Sequence, residues 1–188
     1  LQADNNITVQ ANGTIDTGAN GTNNTNTTSS LTMEPGNNIT IGAPIKIHGN
    51  LTLSANNTGG NETGTGIVIV GAALETLTSG SNITITNNGG TGAHQLNAAV
   101  TTNNGNVSFN GNTELTGNSI VAAGNGSITF NGTVDSFVNT SFGLTANTSG
   151  TTNFNGSVGG STALTTLTTD ANGTSTLQGV NTTGAQSY

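Results

Sequence analysis

Two carboxylates stand in matched settings. Glu114 follows "FNGNT" and Asp135 follows "FNGTV". If these repeats stack as strands, equivalent residues lie about 5 Å apart. Two carboxylates at about that separation suit a retaining glycosidase, and equally a Ca²⁺ site. The competing expectation is a pair of solvated acids that restrain aggregation, because carboxylates are seldom buried. A third ligand is missing, since the equivalent place in the next repeat is Gly159. We therefore assign no catalytic, cofactor-binding or metal-binding residue.

The histidines add little. His48 and His94 are 46 residues apart. About two repeats would set them roughly 10 Å apart, too far to share a metal whose nitrogen ligands sit about 2 Å away. Both are expected to be surface or turn residues. No Ser/His/Asp order is defensible without geometry. "GGTGAH" (Gly89 to His94) lacks the lysine of a phosphate loop. Polysaccharide-cleaving β-helices usually need cations for acidic sugars, and this chain has a single Lys+Arg residue, Lys46. The expectation is a protein without enzymatic activity and without a cofactor.

Composition narrows the partners. One base and eight acids give a formal net charge of −7 across 188 residues. Phosphate recognition needs clustered Lys and Arg, so nucleic acid is excluded as a partner. An anionic membrane surface is excluded for the same reason. The longest apolar run, "GIVIVGAAL" from Gly66, is too short to span a bilayer. There is no cysteine, hence no disulfide framework. The chain begins at Leu1 without a signal peptide and ends at Tyr188 in mid-pattern. It is expected to be a segment of a longer protein.

These residues must be positioned by strands. "NNITV", "NNITI", "NLTL", "SNITI", "GNVSF", "GSITF" and "TTNF" each alternate apolar and polar residues, the period of a strand with one buried face. Asn and Gly cluster between them as turns require. "FNG" recurs at Phe109, Phe130 and Phe154, offsets of 21 and 24. "LTANTSG" at Leu144 returns as "LTTDANG" at Leu167, and "TTNFNG" at Thr151 as "TSTLQG" at Thr174, both 23 residues on. A longer echo joins "ALETLT" at Ala73 to "ALTTLT" at Ala163, 90 residues later, and "TGAH" at Thr91 to "TGAQ" at Thr183. It is expected to mark the same position four units on.

Short repeats of this length with Gly/Asn turns predict an all-β fold, a parallel β-solenoid with coils of about 21 to 24 residues. Phe109, Phe130, Phe154 and Leu177 should form one internal ladder, and Leu144 and Leu167 another. Roughly eight coils would make a rod about 40 Å long. Asn would also hydrogen-bond from coil to coil. We expect one solenoid over residues 1–188, less regular over 1–99, with loops near 20–30 and 56–66, and regular over 100–188.

Two surface readings follow. Sequons are numerous, among them Asn6, Asn38, Asn82, Asn106 and Asn131, but strands written Asn-apolar-Thr create the motif automatically. Thr-x-Thr occurs at Thr63, Thr84 and Thr174, resembling the arrays of ice-binding solenoids, although it is sporadic here.

The stretch from Val158 to Tyr188 resembles the repeats of giant bacterial surface proteins of the filamentous-haemagglutinin and autotransporter-adhesin type. Gly159, Gly160, Ala163, Leu164, Leu167, Thr168 and the "TTGAQ-x-Y" ending carry the resemblance. It implies a right-handed β-helix, export to the cell surface, and a role in attachment or aggregation. The expected function is a rigid stalk or a weak multivalent adhesive surface of an extracellular filament. The alternatives are a filament subunit stacking end to end and a carbohydrate-active β-helix enzyme. Expected partners are copies of the chain itself and cell-surface glycans.

Overall fold

The computed structural model describes residues 1–17, 29–57, 66–169 and 172–188. Most of the two expected loops, 20–30 and 56–66, lies outside the described residues. The architecture is all-β. Three parallel sheets wrap one core, and the chain visits them in turn, so that successive strands of each sheet come from successive coils.

Coil 1 holds β1 (Gln2–Ala3), β2 (Ile7–Val9) and β3 (Ile15–Asp16). Coil 2 holds β4 (Leu31–Pro35), β5 (Ile39–Ile41) and β6 (Ile45–Ile47). Coil 3 has β7 (Leu51–Ser54), β8 (Val68–Val70) and β9 (Leu74–Thr76). Coil 4 has β10 (Ile83–Thr86), β11 (His94–Leu96) and β12 (Val100–Thr102). Coil 5 runs through β13 (Val107–Asn110), β14 (Thr113–Leu115) and β15 (Ser119–Gly124). Coil 6 runs through β16 (Ile128–Phe130), β17 (Val134–Ser136) and β18 (Leu144–Thr148). Coil 7 has β19 (Thr151–Phe154) and β20 (Leu167–Thr169), and coil 8 has β21 (Thr174–Thr176) and β22 (Gln186–Ser187). In these last two coils the middle sheet narrows to single bridges, Val134 to Val158 and Val158 to Val180. Sheet 1 collects the first strand of each coil, sheet 2 the second and sheet 3 the third. The eight rungs of sheet 1 span about 34 Å at the strand spacing.

Alternation explains the strands. In β5 and β10 Ile is buried and Thr faces out. A coil cannot bury its inward face alone, so the neighbouring coils must cover it. Phe109, Phe130 and Phe154 stack with centroids 4.6 and 5.1 Å apart and planes within 4°. Leu177 follows, half-buried against the core. Leu144 pairs with Leu167 as expected. Aromatic stacking adds about 0.5–1.5 kcal/mol per pair beyond area burial.

The later coils keep the predicted period: Val107 pairs with Ile128 and Thr151 with Thr174. The earlier ones are longer at several steps. The Asn50 to Asn82 step takes 32 residues and the Asn38 to Ile67 step 29. The extra chain is spliced between rungs, so ladder register survives while coil length varies.

The long echo is not a structural repeat. Leu74 lies in the sheet 3 column with Val100 and Val121, which continues through Ala146 to Thr169. Its sequence counterpart Leu164 instead makes an isolated bridge to Thr182. His94 opens a sheet 2 strand whereas Gln186 opens a sheet 3 strand. Thr-rich composition produced the echo; register belongs to the short units.

Asparagine fastens the corners. Asn50 Oδ1 accepts the Asn82 backbone N–H at 2.8 Å, Asn82 Oδ1 that of Asn106 at 2.7 Å, and Asn106 Oδ1 that of Ser127 at 2.8 Å. A second column runs from Asn6 to Asn38 to Ile67. At the same corner as the first column the backbones nearly touch. A Cβ on Gly126 would meet the Gly105 carbonyl oxygen at 2.1 Å, which only glycine avoids. Among the described residues, no helix is long and apolar enough to cross a membrane.

Candidate functional site

The predicted carboxylate pair does come together. Glu114 and Asp135 are register partners in β14 and β17, one strand spacing of about 4.8 Å apart. They border an open cleft of about 340 Å³ with Asn112, Thr133, Val138 and Ser161. The two acids differ in environment. Glu114 is half-buried, whereas Asp135 is buried at 8% exposure. The expectation of two solvated acids therefore needs correcting for Asp135. Its Oδ1 accepts the backbone N–H of Ser161 at 2.8 Å and of Thr162 at 3.3 Å. That carboxylate closes the turn that follows Gly159, so one oxygen is committed to structure. Among the described residues, no three His, Cys, Asp or Glu side chains gather to hold a metal ion.

His94 corrects a second expectation. It is 1% exposed and points into the core above Thr113, not into solvent. His48 sits in a turn, half-buried. The His94 Nδ1 accepts the Val68 backbone N–H at 3.3 Å, and Nε2 lies 3.4 Å from the Asn110 carbonyl oxygen. The neutral tautomer with its proton on Nε2 satisfies both. Burial pushes the imidazole pKa down to about 4, opposed in part by the Asn110 carbonyl. Asn87 packs beside it and donates to Gly90 and Gly92 carbonyls. Gly111, at φ 145°, leaves the needed room, because a Cβ there would lie 2.9 Å from Asn87 Oδ1 and 3.1 Å from His94 Nε2. The ring ties three coils together and is sealed from any substrate.

The outward surfaces of the three sheets differ in chemistry. Sheet 3 shows the column Asp16, Lys46, Glu75, with a Lys46 Nζ to Glu75 oxygen distance of 2.8 Å. That contact raises the lysine pKa. Sheet 2 shows Ile69, Gln95, Glu114 and Asp135 in register. Sheet 1 is different. Its central outward column reads Thr32, Thr52, Thr84, Ser108, Thr129, Asn153, Thr176. Beside it stand Ser54, Thr86 and Asn110, continued by Asn131 and Asn155. There the Asn131 amide donates to Asn110 Oδ1 at 2.7 Å and the Asn155 amide to Asn131 Oδ1 at 2.8 Å. From β7 to β21 this sheet carries no charged residue.

Two of the sporadic Thr-x-Thr motifs meet on this face. Thr84 and Thr176 fall in one column, while Thr63 to Thr65 lies outside the described residues. Ser and Asn fill the rungs between, so the face is a mixed lattice of neutral hydrogen-bonding groups and not a uniform threonine array. Sequence inspection missed the face because adjacent rungs carry different residues at offsets that vary from coil to coil.

Comparison with known proteins gives no match: no family model fits the chain, and no curated protein or solved structure is significantly similar to it.

Proposed function

We propose that the chain is a non-enzymatic structural and adhesive segment of an extracellular or cell-surface filament. The observation that carries this reading is the neutral face of sheet 1 from β7 to β21, held on stacked coils with few charges. Such a face offers many equivalent weak contacts, whose strength grows with the number engaged at once. The stacked core supplies stiffness for a stalk. The resemblance of Val158 to Tyr188 to bacterial surface-adhesin repeats points the same way.

End-to-end stacking is the second reading. Among the described residues, β21 pairs with β19 on one side and with no strand on the other, and such an edge templates another strand.

The test is to display many copies on beads and measure capture by cells and by immobilised neutral glycans. Dense beads should adhere where the isolated chain does not. Beads that adhere nowhere would remove the adhesive role. Cleavage of a polysaccharide that disappears in Glu114→Gln would overturn the non-enzymatic reading altogether. Addition of Ca²⁺ should leave the melting temperature of the wild type and of Asp135→Asn unchanged relative to each other.

A further inference from the structure

We propose that the outward face of sheet 1 pairs two copies of this chain side by side, face against face. The pairing goes beyond the filament role and does not depend on it.

Charge selects the face. Every copy carries a formal net charge of −7, so two copies repel wherever their acids meet. Asp16 and Glu75 lie on sheet 3, and Glu114 and Asp135 on sheet 2. On sheet 1 the one acid is Glu34, in β4. Beyond it the strands of this face are neutral from β7 to β21, so two copies meeting there keep the strand acids of sheets 2 and 3 turned away.

Hydrogen-bonding capacity is open on this face. The hydroxyls of Thr52, Thr84, Ser108 and Thr129 face outward without a hydrogen bond from the described residues. Elsewhere, the buried hydroxyls of Thr76 and Thr102 are used internally, donating to the Ser81 and Gly105 carbonyls. The Asn110, Asn131 and Asn155 ladder fixes the neighbouring column in place. The groups are held before any partner arrives, which lowers the ordering cost of binding.

Period selects the partner. The columns repeat at the strand spacing, about 4.8 Å. A second copy of the same sheet has that spacing by construction, so two columns aligned at one rung stay aligned along the face. A two-fold axis lying in the plane between the two faces makes the contact self-complementary. Stacked Asn ladders between paired sheets interlock in this manner. Sugar rings are favoured less, because sheet 1 presents no aromatic residue outward: its three phenylalanines are all in the core. Six rungs by two outward columns cover about 400 Å² on each copy. The total of about 800 Å² is below the range of stable interfaces, so the dimer should be weak and concentration-dependent.

The experiment is sedimentation velocity with small-angle scattering on the full chain, from micromolar to millimolar concentration. The expected dimer keeps the length of the monomer and doubles its thickness. Thr84→Lys with Thr129→Lys should weaken dimerisation by at least about tenfold. Thr145→Lys with Thr168→Lys, on sheet 3, should leave it unchanged, and both variants should keep the wild-type circular dichroism. Three results would overturn the proposal: a monomer at every concentration, a dimer of doubled length, or equal dimerisation in both variants. If the monomeric chain instead adsorbs to insoluble neutral polysaccharide or to growing ice, and Thr84→Lys with Thr129→Lys abolishes this, the face belongs to that occupant and the pairing is refuted.

Discussion

His94 shows how one residue can couple the stack to pH. Its imidazole is neutral in the folded chain, with a pKa near 4 against an ordinary 6.5. Above pH 6.5 both folded and unfolded chains are neutral at this group, and stability is complete. As pH falls from 6.5 to 4, the unfolded chain takes a proton that the folded chain refuses. The cost reaches about 3 kcal/mol, then levels off once the folded form protonates too. Urea midpoints across that range should fall for the wild type. His94→Val places there the residue type of its column neighbours Val68 and Val134, and should flatten the profile. A flat wild-type profile would contradict the buried neutral imidazole. The inward placement was legible in part: Leu96 stands two residues on, so strand alternation puts His94 on the same side. The glycine-rich run before it masked that alternation.

At the scale of elements, the phrase Asn-apolar-Thr acquires a mechanical meaning. At Asn82-Ile83-Thr84 the Asn oxygen takes the next coil's N–H, Ile enters the core and Thr faces out. The sequon arises from that division of labour. Asn106→Ala should cost about 1 kcal/mol, while Asn106→Asp keeps an acceptor and should recover most of it; chemical denaturation of both variants checks this. The phenylalanine stack is the more demanding feature. Phe130→Ala removes the ring between two others and should cost about 3–5 kcal/mol. Phe154→Leu, bordering Leu177, should cost under about 1.5 kcal/mol. Equal losses for the two would argue against an in-register ladder. The short repeats were legible because Phe and Leu recur in the same phrase and land in the same column. The longer spacing of the early coils was not, because residues inserted between rungs leave the strand phrases unchanged. The 90-residue echo misled for the opposite reason: similar phrases fall at different registers, Leu74 in the sheet 3 ladder and Leu164 in an isolated bridge.

For the whole molecule, chemistry is divided by face. The core binds coil to coil, two sheets carry acids in their central columns, and the third is a neutral lattice from β7 to β21. High salt should therefore strengthen side-by-side association, since screening weakens the repulsion between copies while the neutral contacts remain. The fold class was legible from alternation and repeat length, but the lattice face was not. It exists only once the register of every coil is known. The most direct test of the stacked register uses the absence of cysteine. Spin labels at Thr52→Cys and Thr176→Cys lie in one column, five rungs apart. The backbone separation should be about 24 Å, with a narrow distribution, although the two positions are 124 apart in the chain. A broad distribution centred near about 60 Å, the span of an expanded chain of that length, would contradict the solenoid and everything built on its columns.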